Sequence, residues 1–285
     1  MSFEESIAAA AVIITLIVLC SASYSDYRSR EVSDLHWAVI GGVGLIGNLL
    51  VLTMSGSIVP GIMFLISGTM FLLSIMGGFG KADIVCEFIS LILAGVTAYL
   101  CRDDLFTMAC SLSVIFGGLY HLFYIFGIVR GGADAKCLMC IGFVLPCYTT
   151  PVFGSVANVP DLVELIIVPS FSVLFVASIL SVAGCGLYCI MKNIGSETGL
   201  RFRIHTYPAS LDGLEKKFVW PAERPVGYGG GSCKAVDDDD VPDMLEQFRR
   251  EGRKTIRVTP MVPFIIPITV AFAAVILFGS PLFIL

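Results

Sequence analysis

Two aspartates in this chain sit where acid/base chemistry is plausible. Asp26 closes an apolar run in SASYSDYRSREVSDLHW, and Asp134 opens another in VRGGADAKCLMCIGF. A third, Asp83, opens a run in GGFGKADIVCEF, with Glu87 four residues on. Carboxylates at the ends of apolar runs carry a functional hypothesis by default, because a charge facing hydrocarbon is expensive. Two such groups brought together can hydrolyse a peptide. Their mutual repulsion raises one pKa strongly, so one is an ionised base and the other a protonated acid at the working pH, and their titration belongs to the pair.

Glycines precede both later aspartates. Gly131 and Gly132 let the backbone bend and approach a substrate closely at a helix start, and Gly77, Gly78 and Gly80 offer the same ahead of Asp83. The structural alternative is that these aspartates are N-terminal helix caps, favoured by the positive end of the helix dipole. For Asp83 the capping reading is preferred; for Asp134 local physics leaves both open.

The elements that must position these groups are membrane helices. With 56% hydrophobic and 14% charged residues and a mean hydropathy of +0.88, the chain holds more apolar surface than one water-soluble core can hide. Its apolar residues come in runs of roughly 17 to 25, the length a helix needs to cross about 30 Å of hydrocarbon with its backbone satisfied. The runs lie near 6–23, 36–54, 58–77, 84–101, 105–129, 137–157, 165–191 and 262–284. The expectation is an all-α polytopic protein of about eight transmembrane helices, with a small α+β insert before the last. Glu4 and Glu5, with no basic segment ahead of the first run, make that run a retained anchor rather than a signal peptide.

Lys and Arg in short loops stay on the cytoplasmic side. With eight spans, Arg28, Arg30, Lys81, Arg130, Lys136, Lys192 and every cation from 201 to 257 share one side, leaving only Arg102 on the other. Both termini are then outside, and Asp26, Asp83 and Asp134 all face the cytoplasm. The net charge of −5 says little about partners, since the charges are segregated by topology; the partner implied is the bilayer, and nothing points to nucleic acid.

The expected division is a membrane catalytic region over 1–191, a soluble insert over 192–259 and a final helix over 260–285. Within the insert, Phe202, Ile204, Tyr207, Phe218, Val219 and Trp220 supply apolar positions, followed by Gly227 and Gly229 to Gly231. VPDMLEQFRREG reads as a short amphipathic helix with Met244, Leu245 and Phe248 on one face, capped by Asp237 or Asp240, and TIRVTP reads as a strand. The run Asp237 to Asp240 offers oxygen ligands for calcium or magnesium, although acidic runs are usually just solvated. Most cysteines lie inside apolar runs and behave as small hydrophobes. Cys137 and Cys140 have a zinc-like spacing without a second pair or a nearby His. No cofactor or metal is expected, and His36, His121 and His205 read as packing or interface residues.

The motifs carry a resemblance. DYRSREVSDLHW at 26–37, GGADAK at 131–136 followed by CLMCIGFVLPCYTTPVFG, and VTPMVPFIIPI at 258–268 resemble blocks of the archaeal preflagellin peptidases, relatives of the bacterial type IV prepilin peptidases and GxGD-type membrane aspartic proteases. The likeness touches most of the chain and implies Asp26 and Asp134 as the catalytic pair. It also implies, as substrates, preflagellins and type IV pilin-like precursors carrying a short basic leader. Gly131, Gly132, Ala133, Lys136, Arg28 and Arg30 are then motif or substrate-binding positions. Ala133 stands where the bacterial pattern has its second glycine. The separation from Asp26 to Asp134 exceeds that of six-span members by about two spans, the helices at 84–101 and 105–129, which return Asp134 to the same face. Asp83 lies closer to the six-span separation and is the rival second aspartate. The chain lacks the cysteine-rich loop that goes with methyltransferase activity in bacterial relatives.

Two other readings compete. In a transporter, Asp83, Glu87, His121 and Asp134 would line a proton or cation path, but no inverted repeat or pair of broken helices is visible. A presenilin-like protease would carry a Tyr-Asp pair inside a span, whereas Asp26 follows Ser25 at a span's end.

Overall fold

The computed structural model describes residues 2–78, 80–148, 165–194, 200–226 and 241–283. The glycines at 227 and 229–231, the run Asp237 to Asp240 and the second half of the apolar stretch 137–157 lie outside the described residues. The chain divides into two compact units, Met1–Ser178 with Pro263–Leu285, and Ile179–Val262.

The first unit is helical. Its elements are α1 (Phe3–Ser29), α2 (Asp34–Met54), α3 (Ile58–Met76), α4 (Lys81–Leu100), α5 (Leu105–Ile125) and α6 (Gly132–Val144), the start of α7 (Pro169–Lys192), and later α10 (Ile265–Phe278). Six helices, α1 to α5 and α7, are long and apolar enough to cross a membrane. Their ends follow from local chemistry. Ser2 caps α1 in a reciprocal box with Glu5, the Ser33 hydroxyl accepts from the Leu35 N–H at the start of α2, and Asp104 accepts from Thr107 N–H at the start of α5. Short connections make α1 to α5 run alternately up and down, with each packed on the next.

Two of the expected spans come out shorter. At 13 residues, α6 is about 20 Å long, and at 14 residues α10 is about 21 Å, both under the hydrocarbon thickness. Proline explains the first. Pro146 pushes the residue before it out of the helical region, and Leu145 has φ −126° and ψ 79°. The second ends at Gly279, whose φ of 76° and ψ of −167° suit glycine alone, two residues before Pro281.

What α6 lacks in length it has in burial. Ala135 and every residue from Cys137 to Val144 are buried, as expected of a helix apolar all round, and it packs against α2 and α5. Gly44 of α2 permits this approach, since a Cβ there would lie 2.5 Å from the Phe143 carbonyl carbon. Asn48, one turn on, donates from Nδ2 to the Phe143 oxygen at 2.6 Å, satisfying a carbonyl left over at the helix end.

The second unit holds the rest of α7, a short helix α8 (Leu200–His205), strands β1 (Tyr207–Ser210), β2 (Val219–Pro221) and β3 (Thr255–Pro260), and helix α9 (Val241–Arg250). The strands form an antiparallel sheet in the order β1, β3, β2, with Tyr207 opposite Val258 and Trp220 opposite Thr259. Met244, Leu245 and Phe248 of α9 are buried in one cluster with Ile256 and Val258 of β3 and with Leu211 and Leu214.

Candidate active site

Asp26 lies in the last turn of α1, which ends at Arg30 in the left-handed conformation, φ 60° and ψ 18°, with the Arg30 N–H donating to the Asp26 carbonyl. Arg30 is the only non-glycine residue with positive φ among the described residues, so the chain turns sharply beside the carboxylate in a conformation that L-residues seldom adopt. One carboxylate oxygen, Oδ2, is buried without a hydrogen-bond partner among the described residues. The Ile265 N–H, at the first residue of α10, is directed at the Asp26 carboxylate as a donor. That helix is fixed to α1 by hydroxyls: Thr269 and Ser23 are 2.8 Å apart, and Thr269 also donates to the Leu19 carbonyl. The positive end of α10 is therefore held against an acidic side chain.

Asp134 stands in the first turn of α6, ahead of the apolar stretch that begins at 137. The helix starts at Gly131, whose backbone is extended, φ −81° and ψ 119°, with no side-chain cap. The glycine is needed for another reason. A Cβ at Gly131 would lie 2.2 Å from Asp134 Oδ2 and 2.8 Å from its Cγ, so the carboxylate folds back over the glycine itself. At Gly132 a Cβ would make only ordinary contact, 3.5 Å from the Tyr124 ring. Sequence reasoning assigns this pair of glycines a bend and a close approach to substrate; the structure gives Gly131 the task of making room for Asp134.

The charge of Asp26 acts on Asp134, and the Arg30 guanidinium acts on both. Burial raises the Asp134 carboxyl to about 7, the Asp26 charge pushes the same way, and Arg30 opposes both. Such a carboxyl holds its proton near neutrality, as a general acid must.

The other sequence-derived positions fall around this pair in different ways. Lys136 makes an ion pair with Asp34 Oδ1 at 2.7 Å, tying α6 to the start of α2; it serves the site by holding a helix. Arg28 is exposed and donates to the Tyr24 hydroxyl at 3.3 Å. Ala133 packs at the edge of the main apolar cluster. Asp83 sits in the first turn of α4, preceded by Gly77, Gly78 and Gly80, all with positive φ. These glycines serve backbone conformation, unlike Gly131. The set Asp83, Glu87, His121 and Asp134 divides, His121 Nδ1 pairing with Glu87 Oε1 at 2.6 Å while Asp134 feels the charge of Asp26. His36 bridges Ser21 and the Ser33 carbonyl, a contact between α1 and α2. Among the described residues no three His, Cys, Asp or Glu side chains are grouped to hold a metal, and Cys137 and Cys140 are buried free thiols.

Sequence reasoning missed Asp34 and the Ile265 N–H, and it grouped Glu87 with His121 without foreseeing their direct pairing. Each meets its partner from a distant part of the chain, and for the missed two only the Pro-rich approach to α10 gave any prior signal.

The chain is 22% identical over 277 residues to the preflagellin peptidase of Methanococcus maripaludis strain C6, a match covering 94% of each chain. It is 23% identical over 268 residues to the preflagellin peptidase of Methanococcus voltae, covering 91% of each. No protein-family profile matches the chain, and no solved structure does.

Proposed function

Because this multi-pass membrane protein belongs to the preflagellin peptidase family, we propose that it is an aspartic endopeptidase that removes the short basic leader from preflagellins and type IV pilin-like precursors, with Asp26 and Asp134 as its catalytic dyad. What supports this reading is that the charge of Asp26 acts on Asp134, 108 positions further along the chain, with one cation, Arg30, acting on both.

The steps follow from the two environments. Ionised Asp26 takes a proton from a water held between the carboxyls, and the water oxygen attacks the scissile carbonyl carbon. Protonated Asp134 donates to the carbonyl oxygen, giving a neutral gem-diol. As the C–N bond breaks, the proton on Asp26 passes to the leaving nitrogen and a diol proton returns to Asp134, so both groups end as they began. Positioning supplies a large part of the rate, since a properly placed reactant avoids much of the entropic cost of encounter. The Ile265 N–H and Arg30 keep negative charge on the pair, and Gly131 lets Asp134 face its partner.

In this reading the dyad lies at the cytoplasmic face of the cell membrane with both termini outside, which rests on the segregation of cations. It also requires α6 and α10 to complete an eight-pass topology. Residues 1–191 and 260–285 then form the catalytic membrane region and 192–259 a soluble insert. The test is direct: purified protein in detergent, given a preflagellin peptide, should release leader and mature fragments of the expected masses. Ion flux in liposomes without cleavage would overturn the peptidase reading in favour of a transporter.

A further inference from the structure

Between α4 and α5 lies a cavity of about 710 Å³, within the range of clefts that hold ligands, about 300–1,000 Å³. Its walls are apolar apart from Glu87 and His121. It opens outward, since Phe88 is 64% exposed, Leu122 47% and Ile125 62%. At its inner end the His121 ring stacks on Tyr124, with centroids 6.4 Å apart and planes 18° apart. The Tyr124 ring in turn lies against Gly132, at the start of the helix that carries Asp134. Two contacts therefore link the wall of the crevice to the start of the helix that carries Asp134.

The geometry points to this crevice as the seat of the first turns of the precursor's apolar helix, with Glu87 receiving the N–H groups exposed at that helix's start. The inference rests on the peptidase reading for its occupant, a segment entering the bilayer just after the scissile bond. Such a segment begins with about four N–H groups that have no partner within its own helix, and in hydrocarbon each must find one. Its positive dipole end favours a carboxylate. One Glu87 oxygen already meets His121, but a carboxylate has about four lone-pair sites, so the pair can hold Glu87 in place and still accept. An acyl chain, by contrast, offers no donor to the polar pair in the crevice wall.

The experiment uses the full-length chain in liposomes with a purified precursor bearing a basic leader and an apolar segment. A photo-crosslinking residue replaces Leu122 in a chain that also carries Asp26→Asn, so that capture does not depend on cleavage. The expected adduct joins position 122 to the first two turns after the scissile bond. In the otherwise native enzyme, Glu87→Gln should raise KM about tenfold with kcat nearly unchanged, the size of a lost charge interaction with a helix terminus. Leu122→Trp, at a position 47% exposed, should raise KM by filling the crevice. Adducts with lipid alone, or unchanged KM in both variants while the enzyme still cleaves, would overturn the inference and leave the peptidase reading standing. Precursor adducts at position 122, together with no cleavage by the chain with Asp26 intact, would do the reverse.

Discussion

Substituting Gly131 by Ala separates a positioned dyad from a merely flexible loop. At φ −81° and ψ 119° the backbone accepts alanine without strain, so any effect must come from the added methyl. That methyl would sit 2.2 Å from Asp134 Oδ2, inside normal contact by about 1 Å, and the carboxylate must move away by that much. A misplacement of about 1 Å in a catalytic group costs on the order of 100-fold in rate. We expect Gly131→Ala to lower kcat about 100-fold on a preflagellin peptide, with little change in thermal stability in detergent. Gly132→Ala, where the methyl only touches the Tyr124 ring at 3.5 Å, should keep most of the activity. Steady-state cleavage of the two variants, read by mass spectrometry, decides it. Near-normal kcat in Gly131→Ala, or a deeper loss in Gly132→Ala, would refute the reasoning.

Other consequences can be measured with the same assay. The Asp134 carboxyl is raised to about 7, so it keeps its proton below that pH and loses it above; kcat should fall on the alkaline side through a single ionisation near 7. Arg30→Gln removes the cation that opposes this shift and should move that limb to higher pH, and a limb that stays in place would remove Arg30 from the site. Asn48→Ala leaves the Phe143 oxygen without its 2.6 Å donor at a buried helix end. It should cost about 1–3 kcal/mol, seen as a lower unfolding midpoint in detergent, and an unchanged midpoint would mean that another group satisfies this carbonyl.

Much of the architecture is legible in the sequence because membrane helices announce themselves by length and hydropathy. The runs at 6–23, 36–54, 58–77, 84–101, 105–129 and 165–191 each correspond to a helix able to cross. The amphipathic spacing of Met244, Leu245 and Phe248 likewise marks the face of α9 that is buried. Helices α6 and α10 are shorter than their apolar runs, because Pro146 follows the end of the first and Gly279 with Pro281 the end of the second. Of the site, the aspartates and glycines were visible as a motif. Their relations were not, because Lys136 with Asp34, His121 with Glu87, and Asp26 with Ile265 meet only once helices are packed. Even Gly131 carried a different physical reason from the one its sequence suggested, since a motif records that a side chain is absent but not which atom fills the space.

Neutralising each aspartate in turn tests the central proposal most directly. Asp26→Asn and Asp134→Asn, each made alone in the full-length chain and checked for normal unfolding in detergent, should each reduce leader cleavage by about 100-fold or more, while Asp83→Asn cleaves at nearly the native rate. Processing retained in either of the first two, or abolished in the third with its fold intact, would contradict the account.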